Sequence, residues 1–525
     1  MKPISILNDV LGPVMRGPSS SHTAGSFHIG VLARALLGDE PVAVTFAFDP
    51  GGSLAEVYSQ QGSDLGFAAG VMGWPITDER FPQALDWAAQ RGPEITFVVE
   101  PLPGADHPNT VEVRMNSRSG RELRVVAKSI GGGAIIFTQV AGWPVRFTGD
   151  THEVLVELER SAEPAVRQLL MRDGQIVGRP ARQTRGDLVL LHAQCRLPLP
   201  AGVRARLEIL PGVRDVWMAP PIFFVQRGEP LFSSAAEMVT LAEERGCSLG
   251  QIALAYESAL LGLAEDAVLA EMVRRLEIMQ AAVQHGLGAD LPPMQLLGPS
   301  ARWVYQAEAE GRVAIGGIHT RAAARALAVM HVNGGMGVVC AAPTAGSAGV
   351  IPGVVVTLAE EKGLSQKRTA LALLAASAVG LVVATRATFA AEVAGCQVEI
   401  GAAGAMAAAA VVEAAGGGPR QAVAAAAISF QNTMGLICDL VQGIVEIPCH
   451  TRNAVAASSS FVCADLVLGG YVNPIPLDET VDAVYAVGQM LPRQLKCTAL
   501  GGLALAPAAL AMPRLRMFSK SEDEM

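Results

Sequence analysis

Three patterns of apolar and polar positions follow one another along the chain. From residue 1 to 148, short alternating runs surround one longer helical run, which is typical of an α+β domain. From 149 to 228, short alternating runs interleave with helical stretches and predict a small α/β sandwich. From 229 to 512 the helical period dominates and predicts an all-α domain, followed by a charged tail at 513–525. The fold class expected is therefore multidomain.

The individual elements follow from the same patterns. One helix is predicted at Ser26–Leu37, and strands are predicted at Val42–Phe48, Ile95–Val99, Thr110–Met115, Glu153–Leu158, Asp187–Leu191 and Val213–Met218. The uncharged stretch Thr369–Thr385 reaches only the lower edge of bilayer-spanning length. Because it is rich in Ala, Ser and Gly, it favours a buried helix over a membrane span.

Composition narrows the function classes. Half of the 525 residues are apolar but only 5% are aromatic, and 55 are Gly, so the helices should pack through small side chains. Lys and Arg number 40 against 49 Asp and Glu, a net charge of -9 that opposes binding to nucleic acid or an anionic membrane. The first residues lack the apolar run of a signal peptide, so we expect a cytosolic protein.

The cysteines are the first candidate for chemistry. Eight occur without a C-x-x-C pair, and an isolated Cys in an Ala-rich helix is usually a small core residue. Cys438 and Cys449, however, flank a loop with Gly and Pro, and Cys396 stands at a polar break before an Ala-rich helix. Three thiolates without a fourth suit a 4Fe-4S cluster with one open iron, and a zinc ion with three Cys is the second interpretation.

Two further segments carry polar groups. Gly17–Gly25 places three Ser, His22 and a Thr directly before an apolar helix, where unpaired N–H groups favour an anion. An ordinary Ser or Thr helix cap with an incidental His explains it equally well. His107–Thr110 and the glycines of Ser129–Gly133 could let backbone approach a ligand, or could form only a turn and a glycine bulge.

Taken together, these segments resemble the iron-sulfur-dependent L-serine dehydratase family, the L-serine ammonia-lyases. The N-terminal β part of that family is matched by three segments, Gly17–Gly25, His107–Thr110 and Ser129–Gly133. The all-α zone matches its catalytic α part through Ala342–Gly349, Gly395–Gln397, Cys438–Asn453 and Thr498–Ala504. The middle zone stands where longer members carry an ACT-like domain, so an ACT-like regulatory fold is expected at 149–228.

The resemblance implies a reaction and a set of site residues. The reaction is deamination of L-serine to pyruvate and ammonia, and the cofactor is a 4Fe-4S cluster. Its ligands correspond to Cys396, Cys438 and Cys449, which are 42 and then 11 residues apart. His22 and His107 correspond to active-site histidines. Substrate contacts are implied at Ser19, Ser20, Ser21, Thr23, Gln61, Asn109, Gly131 and Gly132. We expect a small amino-acid substrate and a homodimer.

The chain departs from the family in two places. Where members show Gly-His-Gly-Thr-Asp, this chain has Gln60-Gln61-Gly62-Ser63-Asp64, and the amide of Gln61 cannot act as a base. Either His22 or His107 then transfers the proton, or another β-hydroxy or β-substituted amino acid is the substrate. Some members end in a Cys that caps the open iron, whereas the last thiol here is Cys497, where many members carry Glu.

Two other classes of function compete with this interpretation. A pyridoxal-phosphate dehydratase needs a Schiff-base lysine, and Lys128 is the only plausible one. A non-catalytic amino-acid sensor would bind ligand in its middle domain without turnover. The three retained cysteines favour the cluster-dependent enzyme over both.

Overall fold

The structure is a computed structural model that describes residues 3–59, 61–173, 176–291 and 293–513. The chain divides into two compact units. Met1–Ser20 and Gly228–Met525 form one, which we call the helical unit, and Ser21–Arg227 form the other, the α+β unit. Apart from Pro513, the charged tail predicted at 513–525 lies outside the described residues.

Strands and helices alternate first and helices dominate later. The strands are β1 (Val14–Arg16), β2 (Pro41–Phe48), β3 (Glu94–Val99), β4 (Thr110–Ser117), β5 (Glu122–Gly131), β6 (Ala134–Val140), β7 (Trp143–Phe147), β8 (His152–Glu159), β9 (Ala181–Arg185), β10 (Leu188–Cys195), β11 (Val213–Ala219) and β12 (Val338–Cys340). The helices are α1 (Gly25–Leu37), α2 (Ser53–Val57), α3 (Ser63–Val71), α4 (Ala84–Arg91), α5 (Glu163–Asp173), α6 (Ala201–Glu208), α7 (Ala235–Glu244), α8 (Leu249–Leu261), α9 (Glu265–Gly286), α10 (Ala301–Ala309), α11 (Ile318–Gly334), α12 (Val350–Lys362), α13 (Gln366–Arg386), α14 (Ala391–Ala394), α15 (Ile400–Ala414), α16 (Pro419–Thr433), α17 (Cys449–Leu468), α18 (Leu477–Met490) and α19 (Pro507–Leu510).

The α+β unit is built on a six-stranded sheet in the order β3-β2-β4-β5-β6-β7. β2 runs parallel to β3, and the other neighbouring strands run antiparallel. α1 buries Ile29, Leu32 and Leu36 in one core with Phe46 of β2 and Val113 of β4. The three helical positions lie on one face because they are three and four residues apart.

A second, four-stranded antiparallel sheet has the order β11-β8-β10-β9. The chain passes through it as β-α-β-β-α-β, with α5 and α6 as the two crossover helices. Val154 and Val156 of β8 pack with Leu170 of α5 and Leu207 of α6, whereas Leu155 joins the core of the first sheet. This alternation follows from the two-residue period of a strand.

The helical unit packs through small residues. α13 and α15 are buried along most of their length, and α15 is made largely of Ala. A Cβ on Gly286 of α9 would stand 2.0 Å from the Ala328 carbonyl oxygen of α11, and one on Gly353 of α12 would stand 2.7 Å from that of Ala322. Glycine at these crossings therefore lets the helix backbones approach closely.

The first twenty residues pack with the helical unit, although the sequence pattern groups them with the N-terminal domain. The buried carboxylate of Glu257 accepts hydrogen bonds from Ser5 Oγ at 2.5 Å and from the N–H groups of Ile6 and Leu7 at 2.8 and 3.0 Å. β1 also pairs with β12. These contacts need partners about 250 or more residues away, so local sequence does not reveal them.

Among the described residues, two helical stretches are long and apolar enough to cross a membrane, Gln366–Arg386 and Cys396–Ala414. Within the structure 78% and 89% of their most apolar windows are buried. The first contains Thr369–Thr385, so the expectation of a buried helix there is confirmed. The second is an additional candidate that the sequence analysis does not single out.

The expected fold class is confirmed at the level of a multidomain protein with an α+β N-terminal part and a large helical part. The predicted helix corresponds to α1, and the predicted strands correspond to β2, β3, β4, β8, β10 and β11. One strand, β12, interrupts the zone predicted as all-α. The boundary at 148/149 and the ACT-like assignment stay predictions.

Candidate active site

The predicted ligand cysteines are all buried in the helical unit. Gln397 brings two of their segments together, because its side-chain oxygen accepts a hydrogen bond from the Gly435 N–H at 2.8 Å. This contact holds the segment before Cys438 against the turn Cys396–Val398. As a result, the thiols of Cys396 and Cys438 are hydrogen-bond partners.

The third thiol belongs to Cys449, the first residue of α17. Asn453, one helical turn later, donates from Nδ2 to the Cys449 carbonyl at 2.9 Å and to the Gly346 carbonyl at 2.8 Å. Its Oδ1 accepts a hydrogen bond from the Gly349 N–H at 3.0 Å. One buried amide therefore fixes the Ala342–Gly349 loop against the start of α17.

A buried carboxyl group lies beside the thiols. Glu399 accepts hydrogen bonds from Thr344 Oγ1 and, at 3.9 Å, from Cys396 Sγ. Burial raises the pKa of Glu399 to about 7. A Cβ on Gly346 would stand 2.7 Å from Glu399 Oε1, so glycine at this position gives the carboxyl group its room.

A fourth thiol stands next to the predicted three. Cys497 is half-buried, and its thiol is a hydrogen-bond partner of the Cys438 thiol. The Cys497 N–H also donates to the Cys438 carbonyl at 3.0 Å, and the Cys438 N–H to the Leu495 carbonyl at 2.9 Å. The φ of Cys497 is +58°, a conformation that costs energy for a non-glycine residue.

The surroundings keep the thiols protonated as long as no cation is bound. The hydrogen bond with Cys438 raises the pKa of Cys396 first, and burial raises it further. Burial also raises the pKa of Cys449 well above that of a free thiol. A coordinating metal removes such protons. Buried thiols that share hydrogen bonds therefore fit the ligand chemistry of an iron-sulfur cluster.

The spacing of the donors bears on the second interpretation. Within the described ranges, no group of three or more His, Cys, Asp or Glu side chains is placed to hold one metal ion. A single zinc ion needs its thiolates close together, since each Zn–S bond is about 2.3 Å. A cluster keeps its thiolates farther apart because several irons and sulfides lie between them. Because the described residues show no complete site for a single ion, the choice between a cluster and zinc stays a prediction.

Two histidines of the helical unit also lie together. The rings of His331, in the last turn of α11, and His450, beside Cys449, have centroids 5.4 Å apart. Both side chains are only 1% exposed. Nδ1 of His331 and both ring nitrogens of His450 make no hydrogen bond of normal geometry with the described residues.

The α+β unit holds the other predicted residues. Ser21, His22 and Thr23 belong to a helical turn, Ser20–Ala24, that runs directly into α1. Nε2 of His22 lies 3.0 Å from Oγ of Ser53, in a hydrogen bond whose donor depends on the tautomer. Burial lowers the pKa of His22 to about 4, so the imidazole is neutral at pH 7.

A chain of contacts connects several of these residues. Ser129 Oγ donates to the Ser21 carbonyl at 2.6 Å, and the Ser129 N–H donates to the Asn109 carbonyl at 3.2 Å. The Asn109 N–H in turn donates to Nδ1 of His107 at 3.1 Å. Asn109 is buried, and its Oδ1 lacks a hydrogen-bond partner among the described residues.

Gln61 takes part through its backbone. Its carbonyl accepts a hydrogen bond from Thr23 Oγ1 at 2.8 Å, while its side chain is half-buried. Asp64 nearby is buried, and burial raises its pKa to about 6. Gln61 thus helps to hold the turn that carries His22.

Comparison with known proteins identifies the family to which the chain belongs. A sequence model described as "Serine dehydratase alpha chain" matches residues 244–504. The "Probable L-serine dehydratase, alpha chain" of Bacillus subtilis is 38% identical over 277 residues, which are 53% of this chain and 92% of that protein. The chain belongs to the serine dehydratase family.

The sequence is also similar to further serine dehydratase subunits. The "L-serine dehydratase, alpha chain" of Peptoniphilus asaccharolyticus is 34% identical over 52% of this chain and 94% of its own length. The "Probable L-serine dehydratase, beta chain" of Bacillus subtilis is 40% identical over 148 residues, 28% of this chain and 66% of that protein. This serine dehydratase therefore joins both kinds of part in one chain, as the sequence resemblance implies.

The structure separates the predicted site residues of this serine dehydratase into two sets. Cys396, Cys438 and Cys449 lie in the helical unit, with Ser19 and Ser20 at its N-terminal end. The remaining predicted residues lie in the α+β unit: Ser21, His22, Thr23, Gln61, His107, Asn109, Gly131 and Gly132. Gly131 and Gly132 have positive φ and belong to the tight turn between β5 and β6. Their predicted substrate contacts stay predictions.

Sequence reasoning misses several side chains of both sets. Glu399 and Asn453 stand in the family segments or beside them. Their short distance along the sequence from Cys396 and Cys449 could have identified them as candidate site residues. Ser53 follows two glycines at the start of α2, a position typical of a helix start. His331 carries no such signal, because its partner His450 is more than a hundred residues away.

Proposed function

We propose that this serine dehydratase deaminates L-serine to pyruvate and ammonia with a 4Fe-4S cluster held by Cys396, Cys438 and Cys449. The observation that carries the proposal is the meeting of the Cys396 and Cys438 thiols in the region that matches the α chain. When bound, such a cluster supplies Lewis acidity for departure of the β-hydroxyl group.

L-serine is the substrate that the names of the relatives support. The alternative, another β-hydroxy or β-substituted amino acid, rests on Gln61 alone. The carbonyl of Gln61 supports the turn of His22, a role that does not depend on an imidazole at position 61. This favours L-serine over the alternative.

The chain's own residues have three tasks. Ser19, Ser20, Ser21 and Thr23, with the helix that follows them, bind the substrate carboxylate, because the start of a helix favours an anion. The buried Asn109 offers an unpaired Oδ1 as an acceptor for the substrate ammonium group. A neutral imidazole takes the Cα proton, and His22 and His107 are the candidates from sequence.

Three further proposals concern the whole protein. The β-α-β-β-α-β sandwich of β8–β11 supports an ACT-like regulatory role for residues 149–228. The two long apolar helices are mostly buried, which supports a cytoplasmic enzyme. We propose a homodimer, with neither a nucleic acid nor a membrane as partner.

The test is pyruvate release from L-serine by anaerobically reconstituted protein without added pyridoxal phosphate. We expect turnover that tracks bound iron and sulfide and disappears in air. Turnover by iron-free protein supplied with pyridoxal phosphate would contradict the cluster, and Lys128, which now pairs with Asp106, would become the residue to examine. An iron-loaded protein that acts only on another amino acid would contradict L-serine.

A further inference from the structure

The His331–His450 pair is the most unusual buried polar feature of the helical unit. Both imidazoles are nearly inaccessible, and three of their four ring nitrogens lack a hydrogen bond of normal geometry within the described residues. The ring of His450 interacts with the backbone of Val445 through a contact that falls short of normal hydrogen-bond geometry. A buried polar group without a partner is unfavourable, because it has lost its hydrogen bonds to water. A site that retains three of them needs an explanation such as a bound polar ligand or a catalytic role.

Within the helical unit, the pair is linked to a proposed cluster ligand and to the beginning of the segment proposed to bind the substrate carboxylate. His450 directly follows Cys449, a proposed cluster ligand. Two residues after His331, Asn333 donates from Nδ2 to the Pro18 carbonyl at 3.4 Å. Gly17 packs so tightly on Asn333 that a Cβ there would stand 2.0 Å from the Asn333 carbonyl oxygen. The end of α11 therefore carries the beginning of the segment proposed to bind the substrate carboxylate.

We propose that His331 is the base that removes the Cα proton of L-serine, and that His450 positions it. The inference rests on the proposed function and assigns the base that the sequence leaves open.

The proposed step balances without a further reactant. The Cα–H bond breaks and its proton moves to Nδ1 of His331, while the electron pair forms the Cα=Cβ bond. The Cβ–O bond breaks and its pair leaves with hydroxide. The imidazolium then returns the proton to hydroxide, so water is released. The aminoacrylate that remains hydrolyses to pyruvate and ammonia.

The charge state of His331 is compatible with the role of a proton acceptor. Burial lowers its pKa to about 4, so the ring is neutral at pH 7 and able to accept a proton. Among the described residues, no carboxylate is bonded to either ring. The pair thus differs from a buried histidine that is satisfied by an ion pair, such as His192 with Glu153.

The experiment compares His331→Gln with His319→Gln in the anaerobically reconstituted full chain. His319 lies in the same helix, and its Nδ1 is bonded to the Ser458 carbonyl at 3.2 Å, so it controls for a histidine lost from α11. We expect kcat of His331→Gln to fall about 10²–10⁴-fold with little change in KM. The iron content and the melting temperature should stay close to those of the unaltered enzyme.

Two additional readouts separate a base from a structural residue. In His331→Gln, L-serine carrying deuterium at Cα should show a larger isotope effect on kcat than in the unaltered enzyme, because proton removal becomes slower. In His331→Ala, added imidazole should restore part of kcat. A kcat of His331→Gln within threefold of the unaltered enzyme would overturn the assignment. Loss of iron together with activity would also overturn it, since the pair would then only support the cysteines. An unaltered, iron-loaded enzyme without turnover of L-serine would instead overturn the proposed function.

Discussion

The candidate histidines of the two units differ in their hydrogen bonds. In the α+β unit, His22 is bonded to Ser53 and Nδ1 of His107 to the Asn109 N–H. In the helical unit, Nδ1 of His331 has no partner among the described residues, and the ring nitrogens of the neighbouring His450 make no hydrogen bond of normal geometry. A hydrogen-bonded ring is held in one orientation and suits binding. An unpaired neutral ring suits proton transfer.

The comparison also extends to the cysteines. The thiol group of the helical unit contains Cys396 and Cys438, while Cys195 of the α+β unit is isolated in the core of the small sheet. Burial raises the pKa of Cys195 to about 11, as expected of an inert core thiol. The group of neighbouring thiols is therefore in the helical unit, whereas the α+β unit supplies histidines that are hydrogen-bonded, His22 and His107.

The largest effect should come from removing a proposed ligand. In Cys438→Ala we expect iron and sulfide to be lost and kcat to fall by more than about 10²-fold, because loss of an outer-shell partner alone costs 10–100-fold. Iron analysis and pyruvate release measure both. Cys463→Ala is the matched control, since Cys463 is a buried thiol of α17 outside the group. If Cys438→Ala kept its iron, the ligand assignment would be wrong.

A smaller effect is expected from His22 in the other unit. His22→Gln removes an oriented imidazole from the proposed binding set, so KM for L-serine should rise about tenfold, the equivalent of about 1.4 kcal/mol. We expect kcat to change far less than in His331→Gln. Steady-state kinetics of the two variants side by side measure the difference. Ser53→Ala, which removes only the partner of the imidazole, should give a smaller rise in KM. If kcat of His22→Gln fell as much as that of His331→Gln, the proposed difference in role between the histidines of the two units would be wrong.

Sequence reasoning succeeds where the physical cause is local. The strand β2 follows from alternating apolar positions, and α1 from its helical period. Cys396 is singled out because it stands at a polar break before a helix, and Cys449 because it flanks a loop with Gly and Pro. Their role as ligands stays a prediction. The motif segments then place them in a family.

It fails where the cause is a contact between distant residues. Cys497 and Cys438 are about sixty residues apart in sequence and are brought together by a backbone pairing, which no local sequence pattern predicts. The residues 1–20 join the helical unit through Glu257 for the same reason. The division of the site residues between two units likewise depends on packing, because the boundary at Ser20 falls inside one motif.

The smallest effect concerns stability and tests the α+β unit by itself. Asp64 is 7% exposed, and burial raises its pKa to about 6, although the Leu65 N–H donates to its Oδ1 at 2.8 Å. An unfolded chain releases this proton near pH 4. Protonated Asp64 therefore favours the folded unit below about pH 4, and that contribution is lost as pH rises through about 6.

Asp64→Asn keeps the acceptor oxygen but removes the charge, so its stability should not show that loss. At pH 8 we expect its melting temperature to exceed that of the unaltered protein by about 2–6 °C, from about 1–2 kcal/mol. At pH 4 the two should coincide. Asp39→Asn is the control of opposite sign, because the hydrogen bonds of Ser119 and of the Glu40 N–H hold the pKa of exposed Asp39 below its usual range. A melting temperature of Asp64→Asn that is lower at pH 8 would mean that the carboxylate of Asp64 stabilises the unit. The α+β unit would then contain a buried ionised group with an unrecognised cationic partner. The contrast between the two units in their buried polar groups would be smaller than proposed.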